Sequence, residues 1–324
     1  MMITLEDVAA YAGVSRATVS RVVNGDNKVK PQTRQRVEEA IAALNYAPNP
    51  AARALASSQS HTIGLVTSSY RGGFFATLMD TVQTETDLHG KQLLVTQGRG
   101  TAEKELQAVR QLYNFRCDGL LIHLRALPDE AILHLAREGR HFILLDRLVS
   151  GLEERCVVFD HRLASYLATR YFIAKGHQQV ACLFGPITRI SSLLRRQGFI
   201  DAMAEARLTP VACLPGEYDI QSGYMRMQEI LRLAQPTAVY CCNEEMAVGA
   251  MLAITEAGLK IPADISCICY DSGERAAFVR PALTSVHFPI DEMARYATRK
   301  LLRPELAVQV FRPQIIERDS VRTL

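Results

Sequence analysis

Hydrophobic and polar residues recur at helical spacing from the start of the chain. Residues 4–24 read TLEDVAAYAGVSRATVSRVVN, and the apolar positions form one stripe before the glycine and another after it. Thr4 and Asp7 have the three-residue spacing of a capping box at the start of a helix. Gly13 permits a sharp turn, and Ser15 can cap the next helix. The pattern predicts two short helices joined by a tight turn.

A third helix is predicted to begin near Pro31, because proline suits the first turn of a helix and apolar residues recur on one side after it. The outer face of the second helix carries Arg16, Ala17, Ser20 and Arg21. A short turn followed by a helix that can enter the major groove is the helix-turn-helix plan. On these residues alone, an ordinary capped pair of small helices remains the alternative.

Residues 45–60, NYAPNPAARALASSQS, are predicted to form a linker. Pro48 and Pro50 interrupt the preceding helical pattern, and residues 51–56 are long enough for only a short helix. An isolated helix of this length is marginal in water. We therefore expect this segment to be ordered only when something else holds it.

From Thr62 onward, apolar runs alternate with helical patterns. The predicted strands are 63–66, 93–95, 120–122, 142–145, 180–184, 211–214, 238–241 and 265–269, with helices between them. Nearly continuous apolar strands that alternate with helices are typical of parallel sheets covered on both faces. The alternation runs twice, which predicts two similar lobes.

The composition is that of a globular protein with two or three domains. The chain has 324 residues, 48% hydrophobic and 22% charged, with a net charge of +3. Residues 1–60 hold seven Lys and Arg against five Asp and Glu, a surplus too small to indicate nucleic acid by itself. Acidic residues stand where a signal peptide needs basic and apolar ones, and no apolar stretch reaches 18 residues. We expect a soluble, cytoplasmic protein with no membrane partner.

Neither the cysteines nor the histidines indicate a metal or catalytic centre. The eight cysteines mostly lie in apolar runs and form no C-x-x-C pair, which favours buried reduced thiols. The eight histidines show no metal-ligand spacing, and His61, His177 and His287 have no evident nucleophile partner. There is no P-loop, no G-x-S-x-G and no G-x-G-x-x-G after a strand. The sequence therefore predicts no cofactor, no metal and no enzymatic activity.

Polar residues follow the predicted strands at six places. They are residues 68–69, 98–99, 146–147, 185–186, 243–244 and 271–272. Ligands of open parallel sheets bind beyond the carboxyl ends of the strands, so these groups predict a cleft for a small polyhydroxylated molecule. Phe74, Phe75 and Tyr218 can supply its apolar wall. Taken singly, each polar residue is better explained as part of a turn, and it is their recurrence at six strand ends that favours a cleft.

The whole sequence resembles the lac/galactose repressor family. The resemblance is carried by TLEDVAAYAGVSRATVSRVVNG, NYAPNPAARALA, LLDR at 144–147, GHQQVACLFGP at 176–186, CNEEMAVGAM at 242–251, IPADISCICYD at 261–271 and PALTSV at 281–286. The pair Arg16-Ala17 is nearer to the galactose and β-glucoside repressor branch than to the lactose repressor.

The resemblance implies an α/β protein with an N-terminal three-helix helix-turn-helix headpiece and a two-lobed core like periplasmic binding proteins, built on doubly wound parallel sheets. The implied domains are a headpiece at 1–48, a hinge helix and linker at 49–60, and an effector-binding and dimerisation core at 61–324. Within the core, the N-lobe comprises about 61–159 and 290–311, and the C-lobe about 160–289 and 312–324.

The resemblance also implies a homodimer whose second helices read the two halves of a pseudo-palindromic operator in double-stranded DNA. By position, Arg16, Ala17 and Arg21 match base-reading residues, and the Arg21 guanidinium can pair with a guanine. The residues placed to contact phosphates are Thr4, Ser15, Thr18 and Asn24. Leu55 matches the hinge-helix leucine that wedges between base pairs in the minor groove.

The family's effector positions correspond to Ser68, Phe74, Asp146, Ser191, Arg195, Tyr218, Asn243 and Asp271. They imply a small sugar or glycoside, with Arg195 donating to vicinal hydroxyls, the two aspartates accepting from others, and Tyr218 stacking on the ring. The departures from the usual family residues are His161 for Asn, Ala164 for Gly, Glu244 for Asp, Cys269 for Gly, Ser272 for Asp, and His287 and Phe288 for a basic residue and Gln. They surround the expected cleft and leave the identity of the ligand open. The sequence ends in IIERDSVRTL at Leu324 with no leucine heptad, so no helical tetramerisation tail is expected.

Three functions compete at this point. A sugar-responsive repressor of a sugar-utilisation operon, released from DNA by its ligand, accounts for the whole chain. A repressor that instead needs a corepressor, as in the purine-type branch, is the alternative within the family. A cytoplasmic sugar-binding protein or transport receptor explains residues 61–324 but gives the first 57 no role.

Overall fold

The computed structural model describes residues 3–23, 26, 28–47, 60–270 and 273–324. The chain divides into two compact units, Met1–Thr62 and Ile63–Leu324. We call the first unit the headpiece and the second the core.

The headpiece is a bundle of three helices. They are α1 (Leu5–Ala12), α2 (Arg16–Val23) and α3 (Pro31–Ala43). Val8, Val19 and Val37, one from each helix, are fully buried in one cluster. Thr4 and Asp7 form the predicted capping box, because the Thr4 hydroxyl accepts from the Asp7 amide and the Asp7 carboxylate accepts from the Thr4 amide at 2.8 Å.

The turn between α1 and α2 also forms as its residues predict. Gly13 ends α1 in the left-handed region, at φ +62°. The Ser15 hydroxyl then accepts from the Thr18 amide at 3.2 Å and caps α2. Local signals within three or four residues thus determine where these helices begin and end.

The first lobe of the core is a five-stranded sheet with helices on both faces. Its strands are β1 (Thr62–Thr67), β2 (Gln92–Gln97), β3 (Gly119–Ile122), β4 (Phe142–Leu145) and β5 (Cys156–Val157), and its helices are α4 (Gly73–Leu88), α5 (Ala102–Asn114) and α6 (Asp129–Arg137). The strand order is β2-β1-β3-β4-β5, with parallel pairing from β1 through β3 and β4 to β5. β3 and β4 are buried at every position, as expected for central strands covered on both faces.

The second lobe is a six-stranded sheet. Its strands are β6 (Val180–Phe184), β7 (Ala212–Pro215), β8 (Ala238–Cys241), β9 (Ser266–Tyr270), β10 (Thr284–His287) and β11 (Gln314–Ile316), and its helices are α7 (His161–Ala174), α8 (Ile190–Glu205), α9 (Ile220–Leu233), α10 (Glu244–Glu256) and α11 (Glu274–Phe278). The order is β11-β10-β9-β8-β6-β7, parallel except for the antiparallel pair of β10 and β11.

The chain returns to the first lobe after β10. Helix α12 (Ile290–Leu302) packs against α4 and against β3 and β4, and the chain then re-enters the second sheet as β11. Phe159 and Phe311, which lie in two of the crossing segments, form a bridge, and the ring centroids of Phe159 and Phe288 are 5.0 Å apart. The crossings therefore pack together between the lobes.

Glycines allow two helix pairs of the second lobe to approach closely. A Cβ atom at Gly198 of α8 would lie 2.0 Å from the Arg162 carbonyl oxygen of α7. A Cβ atom at Gly249 of α10 would lie 2.0 Å from the Ile220 carbonyl oxygen of α9. A larger residue at either position would force the helix backbones apart.

The predicted fold class is confirmed, and the eight predicted strands are present within about one residue at most ends. The prediction omitted β5, β10, β11, α11 and α12. Its short helix at 51–56 lies outside the described residues. Across the described ranges, no helix combines the length and apolar character needed to cross a bilayer.

Candidate functional site

The exposed face of α2 is the candidate DNA-reading surface of the headpiece. Val19 and Val22 are buried, while Arg16, Ala17 and Arg21 are exposed. One face of α2 therefore packs in the core of the headpiece, while the opposite face can bind a partner without disturbing that packing. The face carries two guanidinium groups, each able to donate paired hydrogen bonds to a base edge or a phosphate.

The side chains of this face make only weak or short-range contacts within the headpiece, so a bound partner can replace them. The Arg16 Nε lies 3.0 Å from the Glu6 carboxylate, but both side chains are more than half exposed, so the ion pair is weak. The hydroxyls of Ser15 and Thr18 lie 2.9 Å apart at the start of α2. Of the predicted DNA-contacting residues, Asn24 and Leu55 lie outside the described residues.

The core contains a cavity of about 490 Å³ that is lined by both lobes. The first lobe contributes Arg71, Gly72, Phe74, Phe75, His123 and Arg125; the second contributes Arg189, Ser191, Arg195, Tyr218, Asp219, Ile220, Gln221, Asn243 and Glu245; Phe288 lies at a crossing. Most of these residues follow the carboxyl ends of strands, where parallel sheets bind ligands. The volume suits a small organic molecule.

Aromatic rings form one part of the cavity wall. Phe74 and Phe288 stack with ring centroids 5.6 Å apart and planes 3° apart. Tyr218 forms another part, and it adopts φ +62°, which a bulky residue seldom does outside functional sites. Its ring occupies the space above Gly185, where a Cβ atom would lie 2.0 Å from the Tyr218 Cζ.

Two hydroxyls beside the cavity, those of Ser192 and Tyr218, are buried and lie near each other. Neither makes a well-formed hydrogen bond to a described residue, although the Ser192 hydroxyl is near enough to lower the pKa of Tyr218. Burial raises the pKa of Tyr218, so its hydroxyl stays protonated and able to donate. Unpaired buried polar atoms are rare in folded proteins and are typical of places where a ligand or water binds.

A chain of hydrogen bonds runs from the cavity wall into the protein through Asp146. One Asp146 oxygen is 2.8 Å from the Arg125 Nη2, and the other is 2.7 Å from the His161 Nε2. His161 in turn accepts at Nδ1 from the Tyr270 hydroxyl at 2.5 Å. Both Asp146 oxygens are therefore committed within the protein. The Arg125 Nη2 also donates to the His123 Nε2 at 2.7 Å.

A buried carboxylate positions the loop that carries Arg125. Glu105 of α5 is fully buried and accepts from the backbone amides of Arg125, Ala126 and Leu127 at 3.0, 2.8 and 2.7 Å. Three amides that converge on one carboxylate form a strong, charge-assisted anchor. The anchor fixes where the Arg125 side chain leaves the backbone and enters the cavity wall.

Arg195 is the most deeply buried cation of the cavity, with 8% of its surface exposed. Its Nη1 donates to the Cys242 carbonyl at 2.6 Å, and its Nε to the His161 Nδ1 at 3.3 Å. Its guanidinium lies 3.6 Å from the centroid of the Tyr270 ring. These contacts hold the group in one orientation at the cavity wall.

Two family models cover most of the chain. The model described as periplasmic binding proteins and sugar binding domain of LacI family matches residues 60–301, and the one described as bacterial regulatory proteins, lacI family, matches residues 4–49. The chain belongs to the LacI family. As a LacI-family protein it is a DNA-binding transcriptional repressor, which confirms the resemblance on which the sequence prediction rested.

Named LacI-family relatives resemble the chain along its whole length. The transcriptional regulator GalR of Escherichia coli K12 is 37% identical over 332 residues, which cover 99% of this chain and 96% of that protein. The lac repressor dimer bound to operator and the anti-inducer ONPF superposes with a TM-score of 0.91 at 33% identity, over 99% of this chain and 100% of that one. The complex of the regulator CelR with cellobiose gives a TM-score of 0.71 at 28% identity, over 98% and 99%. These relatives are regulators, which agrees with the prediction of a non-enzyme.

The structure brings five of the eight predicted effector residues together in the cavity of the core. They are Phe74, Ser191, Arg195, Tyr218 and Asn243. Ser68 and Asp146 lie one hydrogen bond behind the described wall, since the Ser68 hydroxyl is 3.5 Å from the His123 Nδ1 and Asp146 bonds Arg125. Asp271 lies outside the described residues.

Sequence reasoning missed several cavity residues. They are Arg71, His123, Arg125 and Arg189, together with His161 behind the wall. Arg125 and Arg189 stand in loops a few residues beyond β3 and β6, so a search that extended past the first two residues after each strand would have found them. His161 was noted only as a departure from the family pattern.

Proposed function

We propose that this repressor responds to a small sugar or glycoside, which binds in the cavity of the core and relieves operator binding. The composition of the cavity wall supports the proposal, because the guanidinium, hydroxyl and amide groups of Arg195, Ser191 and Asn243 line it together with the aromatic rings of Phe74 and Tyr218. Directional polar groups around apolar rings suit a molecule with hydroxyls on one edge and C–H groups on its faces. The cellobiose complex of CelR supports this reading by similarity.

The allosteric mechanism requires two states of the dimer with different affinity for DNA. An effector shifts that equilibrium only if it binds one state more tightly, and a shift from mostly bound to mostly free requires several kcal/mol of preference. The cavity is lined by both lobes, so any change in their spacing alters its contacts. A homodimer is part of the proposal, supported by the dimeric lac repressor.

On the DNA side, we assign base reading to Arg16, Ala17 and Arg21. The phosphate contacts belong to Thr4, Ser15, Thr18 and Asn24, and the minor-groove wedge to Leu55. The exposed face of α2 supports the base-reading group. The hydroxyls of Ser15 and Thr18, which lie 2.9 Å apart at the start of α2, support the phosphate-contacting group. The domain boundaries 1–48, 49–60 and 61–324 complete the proposal.

The test begins with the operator. Duplexes that the protein binds selectively are recovered from a random pool. Their affinity is then measured by fluorescence anisotropy with and without mono- and disaccharides, including β-glucosides and acidic sugar derivatives. We expect one class of sugar to lower the affinity at least tenfold. A sugar that raises the affinity would instead identify a corepressor, and indifference to all of them would overturn the proposal.

Matched variants connect the response to the cavity. Tyr218→Ala removes an aromatic wall, and Tyr224→Ala removes a tyrosine of the same lobe outside the cavity lining. We expect the first variant to bind operator normally but to need a higher sugar concentration for release. The second should respond as the unmodified protein does.

A further inference from the structure

Positive charge exceeds negative charge around the cavity. Four arginines line it, Arg71, Arg125, Arg189 and Arg195, against the two carboxylates of Asp219 and Glu245. A neutral sugar needs no such excess, since its hydroxyls are satisfied equally by neutral donors and acceptors.

The two lining carboxylates already have partners. The Asp219 oxygen accepts from the Ser222 amide at 2.7 Å and caps α9. The Glu245 carboxylate accepts from the Asn243 amide at 2.7 Å and lies 3.8 Å from Arg275. Neither carboxylate forms an ion pair with a cavity arginine, and the arginine nearest to Glu245 is Arg275, outside the cavity lining.

Of the four arginines, only Arg125 has a carboxylate partner among the described residues, namely Asp146 at 2.8 Å. No described carboxylate lies within 4.0 Å of Arg71, Arg189 or Arg195. One more carboxylate of the sequence, Asp271, lies outside the described residues, and one carboxylate balances only one of the three.

Two of these arginines, Arg189 and Arg195, are removed from solvent, whereas Arg71 is exposed. Arg195 is 8% exposed, and its guanidinium is held by a carbonyl and an aromatic face instead of a carboxylate. Burial lowers the pKa of Arg189 and the charges of Arg125 and Arg195 lower it further, while Tyr218 and Glu217 offset part of this effect, so the guanidinium groups repel one another across the cavity. An anion bound between them would relieve both effects.

Two helix N-termini add to the positive potential. The cavity includes Gly72 and Arg189, the N-cap residues of α4 and α8. Neither helix has a side-chain cap or an acidic residue in its first turn. Free amides and the helix dipole at such an end favour a negative group.

We infer that the effector of this cavity is an acidic sugar, whose phosphate or carboxylate group is bound by Arg189 and Arg195. The inference rests on the proposed function, because it takes this cavity as the effector site, and it narrows the ligand class. Guanidinium groups match the geometry of both acids through paired hydrogen bonds. The aromatic rings and the Tyr218 hydroxyl remain for the sugar ring.

The test compares ligands that differ only in charge. Glucose, galactose and cellobiose are each titrated beside the corresponding 6-phosphate and uronic acid, with inorganic phosphate as a further probe. Binding is read by calorimetry and by release of the selected operator. We expect one acidic derivative to bind at least tenfold more tightly than its neutral parent, with the gap narrowing as salt is added. The derivative with the higher affinity, phosphate or uronate, identifies the acidic group that the cavity recognises.

Substitutions then locate the charge recognition. Arg189→Gln should remove most of the preference for the acidic derivative, and Arg189→Lys should restore part of it. Arg170→Gln, which removes an arginine paired with Glu205 outside the cavity, makes the same change in net charge and should alter nothing. Because Arg189 is only half-buried, we expect these variants to unfold at the temperature of the unmodified protein.

The possible failures can be told apart. If a neutral sugar binds and releases the operator as well as its acidic derivative, and Arg189→Gln has no effect, the acidic effector is wrong and the proposed function stands. If no sugar of either kind affects operator binding, the proposed function falls and this inference with it. Binding of inorganic phosphate alone, without any preference among sugars, would also overturn the inference.

Discussion

The Nε2 atom of His161 lies 2.7 Å from the Asp146 carboxylate, and this contact joins the two lobes of the core. Asp146 follows β4 of the first lobe, and His161 begins α7 of the second. Burial by itself would raise the pKa of Asp146, but His161 and Arg125 outweigh it and hold that pKa well below its ordinary value. Burial lowers the pKa of His161, so its neutral ring donates from Nε2 and accepts at Nδ1. The connection behind the cavity is therefore a hydrogen bond from a neutral imidazole to an ionised carboxylate.

Asp146→Asn should destabilise the core by about 3 kcal/mol, because it leaves the mostly buried Arg125 without its counter-ion. The backbone at Asp146 has φ +56°, which asparagine tolerates, so the substitution changes the charge without adding backbone strain. Urea unfolding followed by circular dichroism measures the loss. Asp291→Asn, in a pair with Arg295 whose side chains are both nearly half exposed, should cost less than about 1 kcal/mol. Equal losses in the two variants would contradict the buried role of Asp146.

The core should lose stability as the pH falls below about 6.5, the ordinary pKa of histidine. Burial lowers the pKa of His161, and it lowers that of His123 still more. A histidine with a depressed pKa takes up its proton only on unfolding, so its stabilising contribution is complete above pH 6.5 and is lost as the pH falls towards the folded-state pKa. Each such group contributes a slope of up to about 1.4 kcal/mol per pH unit. Asp146 acts in the same direction below its ordinary pKa of 3.8.

Unfolding free energies measured at several pH values between 7.5 and 5 check this expectation. His161→Gln should give a shallower slope than the unmodified protein, whatever its stability at pH 7.5. His134→Gln removes a histidine whose side chain is 66% exposed, and should leave the slope unchanged. A slope as steep in the His161 variant as in the unmodified protein would show that this ring does not stay neutral in the folded core.

Sequence reasoning succeeded where the determining contacts are local. The capping box of Thr4 and Asp7 and the cap at Ser15 involve atoms three residues apart, and the sequence displays them directly. The strands of the two sheets were equally visible, because central parallel strands are apolar at nearly every position.

It failed where partners are distant in sequence or the signal is short. His161 meets Tyr270 across 109 residues, and no spacing rule joins them. β5 has only two residues and β11 three, too few for periodicity to show. Helix α12 was an omission of a different kind, since its buried residues recur at helical spacing and could have been recognised.

Glu105→Gln should loosen the loop that carries Arg125. A neutral amide accepts less strongly than a carboxylate and has one oxygen for three backbone amides, so we expect a loss of about 2 kcal/mol. Effector affinity should fall as well, because the loop positions part of the cavity wall. Glu103→Gln, at an exposed position of the same helix, controls for the general effect of the change. Amide hydrogen exchange at residues 125–127 measures the loop directly, and unaltered exchange would contradict the anchor.

Leu55→Ala should weaken selective operator binding and leave effector affinity nearly intact. This expectation comes from the family position of Leu55, which lies outside the described residues, and from the cost of kinking DNA without a wedge. Anisotropy on operator DNA and calorimetry with the effector measure the two affinities separately. If operator binding does not change, the hinge-wedge assignment is wrong.

Arg21→Lys should show whether Arg21 reads a base or only neutralises phosphate. The residue is exposed at the end of α2 and has the reach for paired hydrogen bonds to a guanine. Lysine keeps the charge but not the planar fork, so a base-reading role predicts a loss of about 1–3 kcal/mol on the preferred operator and little loss on unrelated DNA. Arg21→Ala should add a loss on all DNA and reduce the salt dependence of binding. A lysine variant that binds the preferred operator as tightly as the unmodified protein would leave Arg21 with a phosphate role alone, and selectivity would then depend on Arg16 and Ala17.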